Sequence, residues 1–140
     1  MPATVALLIT ITLSGLGLVH IYWALGSHVD SRAAIPEIEG HGVFSPSKLA
    51  TFAVAMVLLA AAFLVAVSGH LVVLALAPIA RLPTFFLSIV FVARAVGDFR
   101  LIGFFKRIGN SRFARLDTFA CSPLCLALAI ATFYVAYADV

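Results

Sequence analysis

LATFAVAMVLLAAAFLVAV, Leu49 to Val67, runs nineteen residues without a charge or a polar stripe. A helix on the surface of a soluble bundle keeps one polar face for water, and this stretch has none to offer. Coiled as an α-helix it reaches about 28 Å, close to the thickness of the hydrocarbon core of a bilayer. It reads as a membrane span. Ser45 and Pro46 stand before it as an N-cap and a first-turn proline, and Gly69 follows Ser68 as its stop.

Three further apolar stretches of similar length flank it. With 140 residues, the chain has room for one domain of four spans, placed at residues 4–25, 46–68, 84–105 and 118–138. Composition agrees. Hydrophobic residues make up 64%, charged residues 11%, and the mean hydropathy is +1.16, far from the balance of a soluble domain. The expected fold class is all-α, a polytopic membrane protein built as a four-transmembrane-helix bundle whose first partner is the lipid bilayer.

The first span, Thr4 to Leu25, has no basic residue before it and no small-residue cleavage site after a short core, so it reads as a retained helix rather than a signal peptide. Thr10, Thr12 and Ser14 are placed to bond back to the helix, Gly15 and Gly17 to admit a close neighbour, and Tyr22-Trp23 to sit at the membrane interface. The third span is ambiguous at its start. Either it begins near His70 and leaves Arg94 at the interface, or residues 70–83 connect and the span runs from Thr84 to Phe105. The second placement is preferred, because Pro83 suits a helix start and Lys106-Arg107 a stop. It also puts Arg94, Asp98 and Arg100 inside the span, where a charge is kept only with a partner or a purpose.

The net charge is +3, and its distribution matters more than its size. Lys106, Arg107, Arg112 and Arg115 lie in one short connection, and Arg32 and Lys48 fall on the same side of a four-span topology. The opposite side has only Arg81. The positive-inside rule then places the first and third connections in the cytoplasm and both termini outside. No basic soluble face is available for a duplex, so nucleic acid is excluded as a partner. Cys121 and Cys125, four apart on one helical face, read as small packing residues rather than as a disulfide.

The same topology gathers the chemistry-capable side chains at one end. His20, Tyr22, Trp23, Glu37, Arg94, Asp98, Arg100, Lys106, Arg112 and Asp117 are the candidate ligand-binding residues. Arg94 and Asp98, four apart, are expected to form an ion pair within the third helix. Arg100 points elsewhere and needs a partner such as Asp117, Glu37 or Glu39. The cluster reads either as an ion-pair lattice or as a pocket whose arginines take an anion by bidentate hydrogen bonds.

The remaining chemistries are weaker. His20 and His70 belong to opposite ends of the bilayer and cannot bridge a haem. His20, His28 and His41 with Glu37 or Glu39 lack any tight metal-binding spacing, so no metal is assigned, and the sequence names no cofactor. No nucleophile elbow or phosphate-binding glycine loop occurs, and Gly97 and Gly103 read as close-packing positions on the third helix.

The segments HIYWALG (His20 to Gly26), RAVGDFRLIGFFKR (Arg94 to Arg107), RFARLDT (Arg112 to Thr118) and SPLCL (Ser122 to Leu126) resemble a family of small bacterial four-helix membrane proteins known only as a domain of unknown function. The resemblance covers nearly the whole chain. It implies a bacterial cytoplasmic-membrane location and supports the placement of the third span at Thr84 to Phe105, and it carries no activity. The expected function is the binding of an anionic lipid headgroup or small metabolite at the cytoplasmic end. The alternatives are a small membrane enzyme using Asp98, Glu37 or His20 on a lipid-soluble substrate, and a homo-oligomeric transporter or channel with an Arg94/Asp98 relay.

Overall fold

A computed structural model describes residues 1–26, 35, 37–38, 41–42, 46–75, 77–107, 109 and 111–138. Helix α1 spans Pro2–Ala24. A two-residue antiparallel rung follows, β1 (Glu37–Ile38) against β2 (His41–Gly42). Helix α2 is Lys48–Ser68 and α3 is Ala77–Val96. A short α4, Arg112–Leu116, passes through a π-helical turn, Asp117–Cys121, into α5, Ser122–Tyr137. The fold is all-α, with four helices long and apolar enough to cross a membrane: Pro2–Ala24, Lys48–Ser68, Pro78–Val96 and Arg112–Tyr137.

The helices pack mainly as two pairs, α1 on α2 and α3 on α5. Ala6, Ile9 and Leu13 of α1 meet Ala61, Ala62 and Val65 of α2, with Phe91, Leu128, Ala129 and Val135 closing the core. Alanines recur among them because helices in lipid gain from close backbone approach rather than from expelling water. Gly17 shows this directly: a Cβ there would stand 2.9 Å from Leu59 Cγ, whereas one at Gly15 would meet nothing within 4 Å. Thr10 donates across the interface to the Ala62 carbonyl at 3.4 Å, and Thr12 back to Leu8 at 2.8 Å. Outward faces are apolar, with Leu8, Val57, Phe63, Ile79, Val90 and Ile130 all exposed.

Directions alternate. Gly69, at the end of α2, backs onto Ala6 and Val135, and Gly26, past the end of α1, lies near Lys48. The end of α1, the start of α2, the end of α3 and the start of α4 therefore share one end of the bundle.

Two helix boundaries depart from expectation. Helix α2 is capped by Ser47, whose hydroxyl accepts from the Ala50 N–H at 3.1 Å, two residues later than the Ser45-Pro46 pair. Helix α3 does not start at Thr84 and does not reach Phe105. Pro78 occupies its first turn, where a missing N–H is harmless, and Pro83 lies inside it. Beside Pro83, Thr84 donates its hydroxyl back to the Ala80 carbonyl at 2.8 Å, the i−4 back-bond that threonine makes inside helices. The helix ends because Gly97 takes φ +84 and donates its N–H to the Ala93 carbonyl, the glycine stop of many helices. Asp98 and Arg100 consequently lie beyond α3.

Candidate functional site

Asp117 is fully buried at the junction of α4 and α5, and the charges of this end are organised around it. Its Oδ1 accepts from Arg94 Nη2 at 2.8 Å. Its Oδ2 accepts from the Gly103 N–H at 2.7 Å and from Lys106 Nζ at 3.0 Å. Lys106 is itself almost buried, its side chain 5% exposed, and donates further to the Gly103 carbonyl at 3.0 Å and to Thr118 Oγ1 at 2.5 Å. A buried carboxylate is held only by such a complete set of partners.

The π-helical turn explains why Asp117 faces inward. Pro123 has no N–H for the carbonyl four residues back and its ring presses against that carbonyl. The chain widens just before it, and the Ser122 N–H reaches the Asp117 carbonyl five residues back. In an α-helix, residues five apart point about 140° away from each other. Here Asp117 and Ser122 are both wholly buried.

The link between α3 and α4 is a folded loop. Asp98 Oδ1 accepts three backbone N–H groups, from Arg100, Leu101 and Ile102, at 3.0, 2.7 and 2.9 Å. These bonds, led by that of Leu101, hold the Asp98 carboxyl below the usual carboxylate range. The chain then turns back, and the Phe104 N–H bonds to the Ala95 carbonyl at 2.9 Å. Gly97 and Gly103 cross here with almost no space between them. A Cβ on Gly97 would fall 1.8 Å from the Ile102 carbonyl oxygen, and one on Gly103 2.3 Å from that of Val96.

This geometry corrects the expected pairing. Arg94 does not pair with Asp98, because the helix ends between them, and an Arg94/Asp98 relay has no basis. Arg94 pairs with Asp117, and Asp98 caps a loop. Arg100 is exposed, bonding to Asp98 only through its backbone N–H. Gly97 and Gly103 lie in the loop rather than on the third helix. A carboxylate tied to three amides is a poor general base.

The remaining candidates are dispersed. At the end of α1, the His20 Nδ1–H donates to the Leu16 carbonyl at 2.8 Å and the ring meets Trp23 edge-on at 5.1 Å, while Tyr22 is exposed. Arg112 opens α4 and is exposed. Glu37 is described only through its backbone pairing with Gly42. Arg32, His28 and Glu39 lie outside the described residues. Among the described residues, no three His, Cys, Asp or Glu side chains group as metal ligands.

Sequence reasoning missed Thr118 and the Gly103 N–H as partners in this cluster. It also missed that Cys121 and Cys125, both free and half-buried, lie within electrostatic reach of Asp117 and Arg94. One polar atom of the cluster is left over: Arg94 Nη1 is buried and bonds to nothing among the described residues.

No curated protein and no solved structure matches the chain. A family model described as "Protein of unknown function (DUF3995)" matches residues 13–132, and the chain belongs to that family.

Proposed function

We propose that the chain is a multi-pass protein of the bacterial cytoplasmic membrane, with both termini outside the cytoplasm, that holds an anionic lipid headgroup or small anionic metabolite at its basic end. The observation that carries this reading is the unpartnered Nη1 of Arg94. Two cations, Arg94 and Lys106, face one carboxylate, Asp117, so the cluster keeps one positive charge after its internal pairing. Lys106 is consumed by three acceptors. Arg94 has half its fork unused on a side chain 35% exposed overall; Nη1 itself is covered, so a phosphate or carboxylate oxygen reaches it by displacing the atoms over it.

Charge distribution supports the sidedness. Among the described residues Lys48, Arg94, Arg100, Lys106, Arg107, Arg112 and Arg115 share this end, while Arg81 is at the other. The bacterial assignment rests on the resemblance of the quoted segments.

The test is native mass spectrometry of protein released from mild detergent, on the natural chain and on Arg94→Lys, which keeps the charge and loses the fork. A stoichiometric anionic mass on the natural chain, absent from the variant, is the expected result. Two bare proteins, with equal thermal shifts in phosphatidylglycerol and phosphatidylcholine, would refute it.

A further inference from the structure

The loop of residues 97–107 does not run out into water. It leaves α3 at Gly97, turns at Asp98 to Ile102, and comes back so that Phe104 bonds to Ala95, one residue inside the end of the helix. Phe104 and Phe105 are thereby held level with the last turn of a helix that spans the membrane, which is the boundary between acyl chains and headgroups. Both are exposed, as is Phe99, whose ring lies 6.2 Å from that of Phe105. Phe99 sits at φ +61, a region that bulky residues rarely occupy. Three exposed phenylalanines on a tightly bonded loop have no counterpart in an ordinary polar connection.

Their neighbours are cationic. Arg100 and Arg107 within the loop and Arg115 just after it are exposed. The loop's one carboxylate, Asp98, is exposed, but its Oδ1 is engaged by three backbone amides, so three arginines outnumber it. Exposed aromatic side chains and exposed arginines on one connection, at the depth of a helix end, match the chemistry of an anionic monolayer surface.

We infer that residues 97–107 form a preformed wedge that docks into the anionic leaflet beside the bundle, with Phe99, Phe104 and Phe105 entering the acyl boundary and Arg100, Arg107 and Arg115 engaging phosphate groups. Only the assignment of this face to the cytoplasmic leaflet rests on the orientation proposed above. The wedge uses none of the atoms offered to the anion at Arg94.

The experiment places Phe105→Trp in the full chain with Trp23→Phe, reconstituted into vesicles of phosphatidylcholine with or without phosphatidylglycerol. Emission is expected to be blue-shifted and quenched by lipids brominated high on the acyl chain, with aqueous acrylamide nearly without effect. Phe104→Trp should behave alike. Changing Arg100, Arg107 and Arg115 to Gln should lower the enrichment of phosphatidylglycerol in the first lipid shell by about fivefold per arginine at low salt. Tryptophans that acrylamide reaches freely and brominated lipids do not quench would overturn the proposal and leave the patch to a protein partner. Lipid enrichment unchanged by the three substitutions would overturn the anionic specificity. Arg94→Lys separates the two readings, because it should abolish the bound anion while leaving this quenching intact.

Discussion

Arg94, in the last turn of α3, meets Asp117, at the start of the π-helical turn before α5, at 2.8 Å across 23 residues of chain. The bond ties the C-terminal end of one span to the N-terminal end of the next and covers a carboxylate that no water reaches. It also closes the loop between them, since the other oxygen of Asp117 holds Gly103 and Lys106.

Removing the carboxylate should therefore be worse than removing the whole arrangement. Asp117→Leu leaves Lys106 buried without a counter-charge and is expected to destabilise by about 3–5 kcal/mol. Asp117→Leu with Lys106→Met should recover part of that loss, giving a coupling on the order of 1 kcal/mol or more in a double-mutant cycle. Unfolding by denaturing detergent measures both. A single Asp117→Leu as stable as the natural protein would show that the cluster contributes nothing to folding.

The glycine crossing should be equally intolerant. Gly103→Ala must hold a side chain at φ +90 with its Cβ 2.3 Å from a carbonyl oxygen, so a loss of at least ~2 kcal/mol is expected from strain alone. Gly97→Ala, closer still, should fold poorly. Gly109→Ala meets nothing within 4 Å and should change little. Comparable melting temperatures for Gly103→Ala and Gly109→Ala would contradict the crossing.

Asp98 gives the loop a pH dependence whose sign is set by its depressed carboxyl. In the unfolded chain the group titrates in the ordinary carboxylate range, and in the folded loop below it. Its contribution is complete above the ordinary value and disappears as pH falls through the depressed one. Near neutrality the loop should be indifferent to pH, while Asp98→Asn, which mimics the uncharged form, should speed amide exchange at Arg100, Leu101 and Ile102. Exchange there equal to that of the natural chain would mean that the three bonds do not hold the loop.

What can be read from the sequence follows from what is local. A charge-free run such as Leu49 to Val67 determines its own surroundings, so the all-α class and the four apolar helices need no tertiary information. The ends of α3 are harder, because Pro83 in the sequence suits the role that Pro78 performs, and Gly97 reads as a packing position when it is the helix stop. That one difference produces the wrong ion pair. An Arg94–Asp98 contact follows from four-residue spacing only while the helix continues. Arg94, Lys106 and Asp117 are all visible as candidates, but their meeting depends on a loop turning back and on a π-helical turn. No periodicity announces either.

Two buried hydroxyls test how completely the bundle interior is satisfied. Ser68, at the end of α2, and Ser122, at the start of α5, are at most 1% exposed, and their Oγ atoms bond to nothing among the described residues. A hydroxyl stranded this way opposes folding, so replacing it with hydrogen should stabilise by about 1 kcal/mol. Ser68→Ala and Ser122→Ala are both expected to unfold at higher denaturant than the natural protein. Loss of stability at Ser68 alone would mean that the hydroxyl finds a partner at that end once the protein is in lipid. Loss at Ser122 would point instead to a bound polar group beside the Asp117 turn. Its removal with the anion in Arg94→Lys would then extend the binding site inward from the arginine to the serine.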